Sequence, residues 1–367
     1  MAIELGLMSG TSLDGIDAVA VEFDAARPRV LAHVHRPFEP ALRAELLALN
    51  TAGGVDELHR GALAANGVAR SYANTVSALL DAAGLAPQAV RTLGAHGQTV
   101  RHRPREFDAT GYTLQLLNGA LLAELTGIDV VCDFRSRDLA AGGEGAPLVP
   151  AFHAEVFGAP GEDVAVLNLG GIANLTLLPA GGGVAGFDCG PGNALLDHWV
   201  RRHLGRAYDA DGAWAAGGRV DPALLAALLA EPFFARTPPK STGRDLFNEA
   251  WLAAMPIAGV GPQDVMATLA ELTTRSAADA LNRHAPATTR LVVCGGGAFN
   301  GHLMSRLAAL QPRAQVLAST ALGVPPDQVE AIAFAWLARA HRERRAGNRV
   351  AVTGARGERV LGAFHPA

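Results

Sequence analysis

Short apolar runs separated by glycine-rich polar turns set the rhythm of the chain. Ile3 to Met8 is an apolar run, Ser9 to Gly15 a tight polar turn and Ile16 to Phe23 an alternating run, which predicts two strands joined by a tip of small and hydroxyl residues. Val30 to Val34 adds a third strand. Helical periodicity follows near residues 40 to 50 and 57 to 82, and in the second Leu58, Leu63, Ala69, Tyr72, Val76, Leu79 and Leu80 form the apolar stripe that Gly84 ends. Arg91 to Ala95 reads as a strand delivering His96, Gly97, Gln98 and Thr99 at its end, where open α/β sheets bind ligands. A helix is expected over Gly119 to Leu125, then a short strand, Val130 to Cys132, ending in Asp133-Phe134-Arg135.

A second round of the same pattern begins at Val164. Val164 to Leu169 is a strand, Gly170-Gly171 a turn and Ala173 to Leu178 an antiparallel partner, which implies a duplicated fold. Next comes Gly186-Phe187-Asp188-Cys189-Gly190-Pro191-Gly192-Asn193, then a helix with Leu195, Leu196, Trp199 and Val200 on one face. Asp188 would leave a strand beside helix-start amides, which attract anions; the same residues also suit an Asp-initiated turn with an Asn cap. Pro262 to His284 is an amphipathic helix with Val265, Leu269, Leu272, Ser276 and Leu281 near one face. Arg290 to Cys294 is a strand, and Gly295-Gly296-Gly297-Ala298-Phe299-Asn300 leads into a further helix, the best nucleotide-loop pattern in the chain. The last long helix, about residues 327 to 344, places Glu330 in its first turn. Residues 138 to 147 are rich in glycine and read as a mobile cover or a surface Ω-loop.

Composition narrows the classes. A chain of 367 residues suggests two lobes, and 49% apolar with 18% charged residues fits a compact fold. A formal charge of −4 with scattered Lys and Arg gives no nucleic-acid footprint. Without a secretory leader or a long apolar span, the expected location is cytoplasmic, with no membrane partner. Cys132, Cys189 and Cys294 read as reduced structural thiols. No Walker A motif occurs, and Gly181-x-Gly183-x-x-Gly186 opens no helix. Asp14 and Asp17 could hold a hydrated cation at the first tip; a plain Gly-Ser hairpin fits equally.

Two hairpin tips, an Asp-bearing strand end and a late triple-glycine loop resemble the superfamily of sugar kinases, heat-shock ATPases and actin. The strings Gly6 to Gly15, His96 to Val100, Asp133-Phe134-Arg135, Gly145 to Pro150, Asn168 to Asn174, Lys240-Ser241-Thr242-Gly243-Arg244, Cys294 to Asn300, Glu330-Ala331 and Val352 to Ala355 resemble the anhydro-N-acetylmuramic acid kinase family almost end to end. The resemblance implies a two-lobed α/β actin-like ATPase fold with a duplicated mixed sheet and an interlobe cleft. One lobe would be residues 1–135 with 345–367, the other 136–344. A homodimer is also implied.

It further implies a kinase that uses ATP and Mg²⁺ to open the 1,6-anhydro ring with water and phosphorylate O6 during peptidoglycan recycling. Asp188 would be the general base. Sugar contacts would fall on His96, Gln98, Thr99, Asp133, Arg135 and Glu330. Nucleotide contacts would fall on Ser9, Gly10, Thr11, Ser12, Asp14, Gly15, Gly170, Gly171, Asn174, Gly190, Pro191, Gly192, Asn193, Gly295, Gly296, Gly297 and Asn300. A carboxylate of ordinary pKa suffices for the base. Departures from the family pattern are Glu144, Cys189, Asp245 and Leu117-Asn118. Competing readings are an ordinary hexose or amino-sugar kinase of this fold and a non-catalytic ATP-gated sugar sensor.

Overall fold

The computed structural model describes residues 2–11, 13–23, 28–238, 240–243 and 245–367. Among them run twelve strands: β1 (Ile3–Ser9), β2 (Ile16–Phe23), β3 (Pro28–Arg36), β4 (Val90–Pro104), β5 (Gly111–Leu116), β6 (Val130–Cys132), β7 (Val164–Leu169), β8 (Ile172–Leu178), β9 (Ala185–Pro191), β10 (Arg290–Cys294), β11 (Gln315–Ala318) and β12 (Ala363–His365). The chain divides into two compact units, Met1–Phe152 with Gln328–Ala367, and His153–Asp327. None of the described helices is long and apolar enough to cross a membrane.

Both units carry a mixed sheet of one plan. In the first, β1, β2 and β3 form an antiparallel meander, β4 joins the free side of β1 in parallel, and β6 joins β4 in parallel. In the second, β7, β8 and β9 form the meander, β10 lies parallel to β7, and β11 lies parallel to β10. The orders β3-β2-β1-β4-β6 and β9-β8-β7-β10-β11 therefore coincide, and the expected duplication is present. The first unit adds β5 as a hairpin partner of β4 and β12 on the edge of β6.

One close approach decides where the last helix belongs. Gly6 of β1 and Gly94 of β4 are register partners, and a Cβ on either would stand 2.0 Å from a carbonyl oxygen, that of Ala331 or of Phe334. The helix Val329–Arg342 thus lies backbone to backbone on the first sheet. That packing groups residues 328–344 with the first unit. On the other face the helix Glu57–Ala83 buries Ala64, Val68, Tyr72, Val76 and Leu79, while Leu58 and Leu63 are exposed, so its stripe starts later than the periodicity suggests.

The helix Pro262–His284 also departs from expectation. It is buried almost all round from Val265 to Leu281 rather than along one face. Its polar residues are satisfied locally: Thr268 and Thr274 donate to Asp264 and Ala270 carbonyls one turn back, Thr273 donates to the Gly192 carbonyl, and Glu271 receives Arg275 and Arg306. β4 runs on to Pro104 because β5 pairs with its second half, which puts His96 to Thr99 inside the strand, level with the end of β1. Residues 138 to 147 are not a simple surface Ω-loop: a helical turn, Ser136–Ala140, begins the segment and wholly buried Asp138 anchors it.

Candidate active site

The first unit gathers most of the expected sugar contacts beside the β1–β2 tip. Ser9 is buried; its hydroxyl donates to the Gly97 carbonyl at 3.1 Å and lies 2.8 Å from the Tyr72 hydroxyl. The Gly10 carbonyl accepts from Gln98 Nε2 at 3.1 Å and from the Leu13 amide at 3.2 Å. Gly15 is packed under Arg36 and His35, and Thr11 and Asp14 are exposed. Ser12 and Arg244 lie outside the described residues. Asp17 is committed to His33 Nε2 and His35 Nδ1, each at 3.1 Å. Burial pushes its carboxyl up, and the two histidines more than offset that and hold it below the ordinary range.

His96 is buried and neutral. Its Nδ1–H donates to the Ser9 carbonyl at 3.2 Å, and its Nε2 accepts from an Arg135 guanidinium nitrogen at 2.9 Å, which fixes the tautomer. Desolvation, and then the Arg135 charge, pushes its pKa down to about 3. His96 thus aims Arg135. Arg135 also donates to the Gly145 carbonyl at 2.8 Å, and desolvation lowers it to about 10. Glu330 retains solvent access, yet crowding by protein raises its carboxyl, Arg135 opposes that rise and Asp17 adds to it. Thr99 Oγ1 accepts from Gln115 Nε2 at 3.2 Å. Asp133 is exposed, accepts from the Ser136 hydroxyl at 2.6 Å, and shares a recess of about 730 Å³ with Gln115, Thr113 and Asn118.

In the second unit Asp188 lies within β9 opposite Asn174 of β8. Its Oδ2 accepts from the Thr242 amide at 2.9 Å, and its own amide donates to the Lys240 carbonyl at 3.1 Å. Burial raises its pKa to about 6, against the opposing pull of the Thr242 hydrogen bond and the Lys240 charge, above the ordinary value that would suffice for a base. Lys240 is buried; its ammonium donates to the Phe233 and Phe234 carbonyls and lies 4.6 Å from the Phe233 ring centroid. The motif that carries Lys240 and Thr242 is legible in sequence; its role as a bracket around Asp188 is not.

The helix-start amides are spoken for. Gly192 and Ala194 donate to the Gly171 carbonyl at 3.0 and 3.1 Å, and Asn193 donates to the Gly170 carbonyl at 2.8 Å. Asn193 Nδ2 donates to the Leu169 carbonyl at 2.9 Å. A Cβ on Gly192 would stand 2.3 Å from the Gly170 oxygen, so only glycine allows this seat. The hairpin tip therefore occupies the anion position expected for a ligand. Gly190 and Pro191 are buried beside it.

The late loop forms one turn of 3₁₀ helix, Gly296–Phe299, after Gly295, and Asn300 caps the helix Gly301–Leu310 by accepting from the Leu303 amide at 3.1 Å. With Asn193, Tyr208 and Asp327, the residues Gly296, Phe299 and Asn300 line a cavity of about 440 Å³. Gly297 is buried against Leu169. Tyr208 and Phe299 are largely exposed there, and sequence reasoning missed both. An aromatic directly after three glycines and an alanine was the available signal. Among the described residues no group of three carboxylate, His or Cys side chains could hold a metal unaided.

The comparisons with known proteins agree across the chain. The model of the anhydro-N-acetylmuramic acid kinase family matches residues 2–367. An anhydro-N-acetylmuramic acid kinase of Variovorax paradoxus (strain S110) is 60% identical over 99% of this chain and 98% of that protein. The one of Ralstonia nicotianae (strain ATCC BAA-1114 / GMI1000) is 57% identical over 99% and 97%. Among solved structures, component A of the (R)-2-hydroxyglutaryl-CoA dehydratase of Acidaminococcus fermentans superposes with a TM-score of 0.51 over 92% of this chain and 98% of that one, at 12% identity, a likeness of fold alone. By these matches the chain belongs to the anhydro-N-acetylmuramic acid kinase family and is a kinase of amino-sugar metabolism.

Proposed function

We propose that the chain opens the 1,6-anhydro ring of anhydro-N-acetylmuramic acid with water and transfers the γ-phosphoryl group of ATP to O6. Asp188 takes a proton from water and the resulting hydroxide adds to C1. As the C1–O6 bond breaks, its electron pair passes to O6, which attacks the γ-phosphorus and expels ADP. Asp188 then returns its proton to solvent. No carboxylic acid is needed for the leaving oxygen, because phosphorus captures it.

The observation that carries this reading is the environment of Asp188: a carboxylate within β9, held by one amide and raised to about 6, ionised at neutral pH and a stronger base than a free aspartate. Arg135, Thr99 and Glu330 are the proposed sugar contacts, with His96 holding Arg135. Tyr208 and Phe299 are the proposed walls for the adenine ring. Thr11 and the Gly170–Gly171 tip are proposed for phosphate; Gly192 and Asn193 could serve only after giving up their present acceptors. Mg²⁺ would arrive on the nucleotide's oxygens and neutralise their charge.

Turnover in oxygen-18 water with ATP, Mg²⁺ and the anhydro sugar tests the reading. It predicts label at C1 and phosphate on O6. Phosphate without label would overturn it in favour of an ordinary kinase, and no turnover in favour of a sensor.

A further inference from the structure

Asp138 is wholly buried and makes no ion pair with any described Lys or Arg. Burying a carboxylate with no cation in contact is costly even where a charge such as that of Arg135 is felt at longer range, and apolar packing would join two segments at less cost. What the carboxylate holds is specific. Its Oδ2 accepts from the Gly145 amide at 2.8 Å, and its Oδ1 accepts from Asn348 Nδ2 at 2.6 Å and Thr353 Oγ1 at 2.8 Å. Beside it the Glu144 amide donates to the Thr353 carbonyl at 2.7 Å. Gly145, held at its amide, presents the carbonyl of its next peptide unit to the Arg135 guanidinium at 2.8 Å, and His96 holds that guanidinium from another side.

We propose that Asp138 is a positioning residue for sugar binding: with Asn348 and Thr353 it anchors Gly145 at its amide, and the Gly145 carbonyl in turn sets Arg135. The inference rests on the reading of Arg135 as a sugar contact. It assigns the segment 348–353 a part in substrate affinity, although the hydrogen bonds of the Arg135 side chain go to His96 and Gly145. A fixed acceptor lowers the ordering cost of a long cationic side chain when the ligand arrives.

Steady-state kinetics of Asp138→Asn, Thr353→Val and Arg135→Lys test it. Asp138→Asn is expected to raise KM for the sugar about tenfold and Thr353→Val about threefold, with kcat and KM for ATP within about twofold of the parent. In the double variant of Asp138→Asn with Arg135→Lys, the sugar KM is expected to stay within about twofold of that of Arg135→Lys alone, because both changes act through one guanidinium. Additive effects, or equal losses in both KM values, would overturn the proposal in favour of a purely structural role. Should Asp138→Asn not fold, an unchanged sugar KM in soluble Thr353→Val overturns it equally. An unchanged sugar KM in Arg135→Lys would instead overturn the sugar-contact reading beneath it.

Discussion

The amide of Thr242 donates to Oδ2 of Asp188 across 2.9 Å, although the two residues lie 54 positions apart in sequence. One hydrogen bond to an otherwise desolvated carboxylate leaves its pKa at about 6. Since the base must be ionised, kcat/KM should fall on the acid side with a midpoint near that value, and Asp188→Asn should lose about a thousandfold in turnover. Calorimetry with ADP should find nucleotide affinity retained.

The same shift bears on stability. A folded-state pKa of about 6 against an ordinary 3.8 means that the native protein holds this proton more tightly than the unfolded chain. Its contribution therefore falls as pH rises between those values and stays lowered above them. Asp188→Asn removes the burden and should stabilise the protein near neutral pH by about 1 kcal/mol, allowing for partial exposure. Urea denaturation at neutral pH checks the sign.

Lys240 pulls the Asp188 pKa down through its charge. Lys240→Met should move the acid limb of the pH–rate profile upward by about half a unit to one unit, and Lys240→Arg should restore much of it. A limb that stays in place in Lys240→Met would show that the ammonium acts on the helical turn Pro232–Ala235 alone.

His96 and His153 are buried neutral, each pushed down to about 3, chiefly by desolvation. Their folded values lie below the ordinary 6.5, so they cost stability as pH falls through that value. His153 lies beside Thr176 Oγ1 at 2.9 Å, so His153→Gln keeps a polar partner without the titration. The difference in urea midpoint between about pH 7.5 and pH 5 should shrink in that variant.

Gly6→Ala would drive a methyl group into the Ala331 carbonyl at 2.0 Å. Backbone cannot step aside as a side chain can, so a loss of about 3 kcal/mol or more is expected, read as a lowered Tm. Phe299→Ala and Tyr208→Ala, at the cavity in the second unit, should each raise KM for ATP about tenfold and leave the sugar KM unchanged.

Much of this was legible in the residues. Glycine tips between apolar runs gave the first meander and the β7–β8 hairpin, and their repetition gave the duplication, because alternation and turn chemistry act over a few neighbours; β9, interrupted by Gly186, Gly190 and Pro191, was legible only as a strand end and turn. The helix Pro262–His284 was placed correctly, but not its burial, since Thr268, Thr274 and Glu271 look solvent-facing until their acceptors and ion pairs are seen. Asp188 stood out only through its surrounding motif; burial raises its pKa, and Lys240 and Thr242, which no local pattern ties to it, limit that rise. The Gly192 to Ala194 amides were legible as an anion site, but a carbonyl on the neighbouring hairpin is as good a partner for them as a phosphate.

That last contact makes the first turn of the helix Asn193–Leu204 a latch on the β7–β8 hairpin. The amides of Gly192, Asn193 and Ala194 can exchange with deuterated solvent only when the Gly170 and Gly171 carbonyls let go. Their protection measures how firmly the hairpin is seated, and a ligand that displaces the tip should speed exchange at these three sites while slowing it elsewhere.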